Sequence, residues 1–344
     1  MDLIESALNS SPNESDLFRT KIAVCGCGGG GSNTVQRLSR MGIKGATLIA
    51  MNTDAKHLNS MDSTIKRILL GGALTRGLGA GGFPEIGAKA AQYSRTEIED
   101  SLRDYNLVFV TAGMGGGTGT GSAPVVAEIA KANGAIVIGI VTVPFALERV
   151  RIQVARKGLE ELRKNVDTLI VIDNQRLVQL YPNLAIEQAF KVADEVASRA
   201  VRGITESINT PSLINVDFSD IRSIMSTGGL AFISIGEGKG ANKVNEVVED
   251  TFRNKLLDVD YEGAKSVMLH ITGGEDMSLG DANEIGSRIT DITAPEANVI
   301  WGARIDPAYN GRVSVIAIFT GIHSASIFGR DEEGKGLDFG LGAI

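Results

Sequence analysis

Cysteine is nearly missing from this chain of 344 residues: Cys25 and Cys27 are the only two. No disulfide framework or four-ligand metal site can be built from them, so they read as reduced, small packing residues. They flank the end of an expected strand, with side chains assigned to opposite sides. Histidine is as rare, and His57, His270 and His323 match no metal or triad spacing. Neither Gly-x-Ser-x-Gly nor His-Glu-x-x-His occurs, which removes two common hydrolase signatures. Positive charge is not in excess: 34 Lys and Arg face 41 Asp and Glu, a net charge of −7. A nucleic-acid surface needs a basic field, so no such partner is expected. No apolar run approaches the roughly 20 residues of a membrane span, and no signal peptide is visible. A cytoplasmic protein without direct membrane insertion is expected.

Glycine, by contrast, is abundant, with 42 residues, many of them clustered. The densest cluster is Gly113 to Gly121, Gly-Met-Gly-Gly-Gly-Thr-Gly-Thr-Gly. It follows the apolar run Leu107 to Ala112, which reads as a buried strand. It precedes Ser122 to Asn133, where Val125, Val126, Ile129 and Ala130 share a helical face and Pro124 is expected in the first turn. Each of these glycines costs backbone entropy on ordering. What they permit is close approach of backbone N–H groups to an anion at the positive end of a helix. No Lys follows, so this is not the Gly-x-x-x-x-Gly-Lys-[Ser/Thr] phosphate loop.

A second cluster, Gly26 to Gly31, lies between a strand (Lys21 to Cys25) and a helix (Asn33 to Met41). Gly26, Gly28 and Gly31 satisfy Gly-x-Gly-x-x-Gly, and Asp54 follows the next strand, Thr47 to Asn52. Alone, this half-motif fits a nicotinamide-dependent dehydrogenase. Two cradles on one ligand suit a triphosphate better. A third cluster, Gly77 to Gly82, follows the strand Lys66 to Leu70.

Further strands are expected at Ala135 to Val143 and Thr168 to Ile172. Leu184 to Asn209 is the longest helical pattern, with Ile186, Phe190, Ala193, Ala197, Ala200, Ile204 and Ile208 at spacings of three or four. Such a helix, roughly 39 Å long at ~1.5 Å per residue, can join two halves of a molecule. Phe190 and Asp194 share one of its faces. The second half alternates strands (Leu230 to Ile235, Ser266 to Thr272) and helices (Asn242 to Asn254, Asp281 to Thr290). It ends in Asn298 to Arg304 and Arg312 to Thr320, expected as an antiparallel pair in a mixed sheet.

Gly115 to Gly121 resembles the phosphate-binding loop of the tubulin superfamily. From Lys21 to Gly321 the chain is similar to the FtsZ family of prokaryotic cell-division GTPases, with several motifs in the family's order. The resemblance implies a GTP/GDP site with Mg²⁺ and a monovalent cation. By position it assigns Gly28, Gly29, Gly30 and Asn33 to the first loop, and Asn52 and Asp54 to the Asn-Thr-Asp-Ala segment. Gly79, Ala80 and Gly81 fall in the third loop; Gly113, Met114, Gly115, Gly116, Gly117, Thr118 and Gly119 form the main phosphate loop. Thr142, Pro144, Glu148 and Arg151 belong to the ribose side, the last two one residue closer together than the family's usual spacing. Asn174, Phe190 and Asp194 match the base-binding positions: a ring covers the purine, and a carboxylate accepts from the N1 and N2 edge of guanine. Asn215-Val216-Asp217-Phe218-Ser219-Asp220 matches the catalytic loop, with Asn215, Asp217 and Asp220 in the catalytic roles. A helix cap is the plainer reading of Asp217.

The expected fold is α/β. A doubly wound, mostly parallel GTP-binding domain (19–183) is joined by a central helix (184–209) to a smaller α/β activating domain with a mixed sheet (210–323). Residues 1–18 and 324–344 are expected as tails. The resemblance implies a GTPase that builds the cytokinetic ring, with hydrolysis at head-to-tail junctions of a homopolymer. The alternative is a tubulin-like shape protein that does not divide cells. Phe339, Leu341 and Ile344, apolar in a polar tail, are expected to dock on a membrane-adaptor protein.

Overall fold

The computed structural model describes residues 20–180, 183, 185–209, 213–214, 216–225, 230–253 and 264–322. The chain opens with β1 (Ile22–Cys27), α1 (Gly28–Arg40), β2 (Ala46–Asn52), α2 (Ala55–Asn59), β3 (Lys66–Leu69), α3 (Gly72–Thr75), α4 (Pro84–Tyr93) and α5 (Arg95–Leu102). Then come β4 (Leu107–Gly113), α6 (Gly117–Ala132), β5 (Ile136–Val143), α7 (Arg149–Asn165), β6 (Thr168–Asp173), α8 (Asn174–Leu180) and α9 (Ile186–Asn209). The remainder is α10 (Phe218–Met225), β7 (Leu230–Lys239), α11 (Lys243–Arg253), β8 (Ser266–Gly273), α12 (Leu279–Thr290), β9 (Asn298–Ile305) and β10 (Arg312–Ile322).

The strands form one sheet in the order β3-β2-β1-β4-β5-β6-β7-β10-β8-β9. From β3 to β6 every pairing is parallel. Continuous apolar runs suit strands covered on both faces. Accordingly Ile22 and Val24 of β1 lie in one core cluster, and Ala23, Cys25 and Cys27 in the other. The two cysteines thus share a face, contrary to the sequence reading, because residues i and i+2 of a strand point the same way. Burial pushes the Cys27 thiol up to about 12, which makes it a packing group and not a nucleophile.

Strand order reverses between β1 and β4, so α1 and α6 cover opposite faces: Val35 and Leu38 join one cluster, Val126 and Ile129 the other. Such a reversal leaves a crevice at the carboxyl ends of the strands, where ligands of open α/β sheets bind.

Among the described residues, two residue pairs, Leu169–Leu230 and Ile170–Ala231, connect β6 to β7. Beyond them β10 lies antiparallel between β7 and β8, and β9 pairs parallel to β8. The last two strands are therefore not partners, as the sequence reading had them. β10 is apolar on both faces and buried along most of its length, which suits a central position. β9 is largely exposed or half-buried and takes the edge.

Of the stripe that its spacing predicts, α9 buries Ala193, Ala197, Ala200 and Ile204, and Val201 is buried beside them. α6 departs more from expectation. It starts at Gly117, so the run Gly117 to Gly121 is helical, and Pro124 lies two turns inside it. Packing overrides propensity here: a Cβ at Gly121 would stand 2.0 Å from the Pro84 carbonyl oxygen of α4.

Candidate functional site

The first helical turns of α1 and α6 are built alike. Both start in glycine, neither has a side-chain N-cap bond, and neither has an acidic residue in its first turn. The opening N–H groups of a helix have no intrahelical partner. Gly28, Gly29 and Gly30 on α1 and Gly117, Thr118 and Gly119 on α6 therefore present free donors at two positive helix ends. The two ends touch: a Cβ at Gly28 would stand 2.6 Å from Gly119 N, and one at Gly30 would stand 3.0 Å from Gly113 N. Asn33 follows, exposed, one turn along α1. The third glycine loop closes over the same place, since a Cβ at Gly117 would stand 2.7 Å from Phe83 N and 3.0 Å from the Ala80 Cβ. In that loop Gly79 (φ 90°) and Gly81 (φ 60°) take left-handed conformations that only glycine adopts cheaply. Side-chain volume would fill the cradle. These loops contain no Lys or Arg, so an anion would be met by backbone donors and helix dipoles.

Not every assigned loop residue faces the cradle. Met114 is buried, its N–H donates to the Thr142 carbonyl, and the Gly115 N–H donates to Thr120 Oγ1 at 2.8 Å. Gly115 is instead needed where a Cβ would strike Pro144 and Arg151. Gly116 has open space around it. The Thr118 hydroxyl meets that of Thr53 at 2.6 Å. Asn52 is buried, with its amide occupied by the Asp54 N–H and by His57, while the Asp54 carboxylate caps α2 through the His57 N–H at 3.0 Å. Both hold loop shape. Glu148 lies just before α7, not within it, and pairs with Arg151 at 2.6 Å.

A second pocket wall lies at the ends of β5 and β6. Asn174, first residue of α8, is 5% exposed, and its Oδ1 is buried without a hydrogen-bond partner. A buried unsatisfied acceptor carries a cost that a ligand donor would remove. Phe190 leaves the buried stripe of α9: it is 45% exposed and meets Phe145 edge-on at 5.2 Å between centroids. One turn on, Asp194 faces α1. Burial pushes its carboxyl up to about 6, against the pull of the Arg37 charge and a hydrogen bond with Thr34. α1 thus links the two walls, with free backbone donors at its start and the Asp194 partners Thr34 and Arg37 one to two turns later.

Asp217 and Asp220 stand elsewhere. The Asp217 N–H donates to Asp220 Oδ2 at 3.0 Å and the Asp220 N–H to Asp217 Oδ1 at 2.7 Å. This reciprocal cap at the start of α10 uses both carboxylates, more than the sequence reading allowed, and leaves one oxygen of each out of the cap. Asn215 lies outside the described residues. Val216 packs on Gly302 of β9, Ile214 bridges to Ala303, and α10 ends where Thr168, first in β6, donates to the Met225 carbonyl. β9 is six strand spacings from β4, so at ~4.8 Å each the acidic loop is roughly 20 Å or more from the cradle. One copy of the chain does not bring the two together.

Sequence reasoning missed Thr34 and Arg37, one and two turns into α1, though their helical spacing from the glycines was available. It also passed over Phe83, which abuts Gly117, and His57, whose ring stands 3.9 Å from a Cβ built on Gly29.

Comparisons with known proteins place the chain in a family. Residues 21–182 match the Tubulin/FtsZ family GTPase domain, and residues 229–323 match the FtsZ family C-terminal domain. Cell division protein FtsZ 2 of Methanocaldococcus jannaschii is 53% identical over 97% of this chain and 90% of its own length. Cell division protein FtsZ 2 of Halobacterium salinarum is 48% identical over 95% and 86%. A solved empty FtsZ dimer from M. jannaschii superposes with a TM-score of 0.85, at 45% identity over 93% of each chain.

Proposed function

This chain belongs to the FtsZ family of the tubulin superfamily, and from that premise we propose how it carries out GTP-dependent cell division. It is a GTPase whose cradle binds the phosphates of GTP and whose Asn174, Phe190 and Asp194 bind guanine. Phe190 covers the purine face, Asp194 accepts from N1 and N2, and Asn174 Oδ1 finds in the base the donor it lacks. Hydrolysis takes place between subunits: Asp217 and Asp220 of one copy, with Asn215, polarise a water against the γ-phosphate held by the next. The distance between acidic loop and cradle carries this reading. Two carboxylates beside a polyphosphate in one copy would also repel it by about 1 kcal/mol per charge pair at 4 Å even in water. Apolar exposure at both places supports a junction there, with Leu78 and Phe83 at the third glycine loop and Leu213 ahead of Asp217. Such a contact is heterologous and does not close, so copies add head to tail into filaments.

Among the described residues no group of three or more His, Cys, Asp and Glu side chains could hold a metal ion alone. Mg²⁺ would then rest chiefly on the phosphates, as is usual for that ion, and offset their charge. A monovalent cation would sit at the carboxylate oxygens of Asp217 and Asp220 left out of the cap. Phe339, Leu341 and Ile344, outside the described residues, dock on a membrane adaptor at the division site. Removing residues 331–344 should preserve GTP turnover and abolish ring localisation; normal rings would refute the docking.

Complementation tests the shared site. Asp217→Ala keeps a sound cradle with a dead acidic loop. Gly116→Asp keeps a sound loop, and the open space at Gly116 admits the side chain while its charge rejects phosphate. Each alone should turn over GTP at a small fraction of the wild-type rate. In an equal mixture about a quarter of head-to-tail junctions are wild type, so activity should partly return. Co-assembly without recovery would refute the shared site.

A further inference from the structure

We propose that His57 is a further nucleotide contact, a neutral donor aimed at the phosphate chain from the rim of the cradle. The proposal rests on the nucleotide reading of the glycine cradle. His57 lies on α2, a short helix held against the first glycine loop by the Asp54 cap. Its Nδ1 and Cε1 atoms are the nearest groups, both 3.9 Å away, to a Cβ built on Gly29. Gly29 is exposed and lies in the opening turn of α1, where the free backbone donors are. The imidazole therefore borders the opening turn of α1.

The state of the ring follows from its neighbours. The Asp54 N–H donates to Asn52 Oδ1 at 3.3 Å, which fixes which way the Asn52 amide is turned. Its Nδ2 then faces His57 Nδ1 at 3.2 Å and, being a donor, requires Nδ1 to accept. The ring proton is consequently on Nε2. A side-chain donor is added to the two helix ends without a fixed positive charge, in keeping with loops that contain no Lys or Arg. Asn52 takes a corresponding role as a positioning residue: it is 3% exposed, and its amide holds the tautomer of the group that reaches ligand.

Two measurements test this. Calorimetric titration of GTP into the full chain with Mg²⁺ should show Kd raised about tenfold or more in His57→Ala, the value of one hydrogen bond to a charged group. His57→Gln, whose amide can still donate, should recover most of that loss. In the wild-type protein, nitrogen-15 NMR of the imidazole should show the Nε2–H tautomer before ligand, and GTP should shift the Nε2 resonance. Wild type that binds GTP with an unmoved His57 ring, or with His57→Ala binding equally well, would overturn the His57 assignment alone. Wild type that binds no GTP would overturn the cradle reading and this contact together.

Discussion

Asp194 shows how much a single environment decides. Its spacing from Phe190 puts both on one face of α9, but only the fold shows the carboxyl half-buried against α1, with a pKa of about 6. Guanine N1 and N2 are donors and require the ionised form. At pH 7 the carboxylate dominates; at pH 5 about nine-tenths is protonated, so Kd for GTP should rise about tenfold between those values. Titration calorimetry across that range would show it. Asp194→Asn should bind GTP weakly, narrow the gap between GTP and ATP, and lose the pH dependence. A flat wild-type profile would remove Asp194 from the base site. At the same scale, Asn52 and Asp54 each have local partners, the Asn52 amide at the Asp54 N–H and His57 and the Asp54 carboxylate at the His57 N–H, so both hold the loop at the end of β2.

At the scale of elements, α6 is the instructive case. Gly-Thr-Gly-Thr-Gly is poor helix sequence, and reading it as loop followed from propensity. The helix forms because its backbone packs almost without side chains on α4. Gly121→Ala drives a methyl into the Pro84 carbonyl at 2.0 Å and should cost about 3 kcal/mol or more, or prevent folding. Gly116→Ala meets nothing within 4 Å and has φ −93°, so stability should change by less than ~0.5 kcal/mol. Urea unfolding of the pair makes the comparison. Equal losses would mean that the α4–α6 contact is not as close as described.

Across the whole molecule, the seam between α9 and the second half of the sheet is polar. Arg304 of β9 pairs with Glu206 at 2.7 Å, Arg199 with Glu237 of β7 at 2.7 Å, and Ser207 meets His270 of β8 at 2.7 Å. Arg199, Glu206, Glu237, His270 and Arg304 line a cavity of about 200 Å³. Burial lowers His270 to about 4, with Glu206 opposing and Arg304 reinforcing the shift. The folded state thus binds the proton more weakly than the unfolded chain. The stability tied to His270 is full above about 6.5 and is lost as pH falls toward 4, by roughly 3 kcal/mol in all. In His270→Gln that part of the acid-side loss should vanish, so unfolding curves of mutant and wild type should converge between pH 6.5 and 4. Parallel curves would show that His270 is not titrating in that window. Neither the ion pairs nor this histidine had any signature in the sequence, because their partners lie 38 to 98 residues away.

By itself the sequence determined the parallel half, the two principal glycine-rich turns between strand and helix, and the long helix α9. Those depend on local patterns: apolar runs of strand length, glycine between strand and helix, and a 3.6-residue stripe. The resemblance carried by the same motifs pointed to family and ligand. Tertiary structure decided what depends on distant neighbours. It put β10 between β7 and β8, since pairing partners follow from which strand can be buried on both faces. It turned glycine loop into helix where backbones touch, and raised the Asp194 pKa by burying the carboxyl, against the pull of Arg37 and Thr34 of α1. It also set Asp217 and Asp220 roughly 20 Å or more from the phosphates they are proposed to act on, a separation that only the order of strands across the sheet can impose.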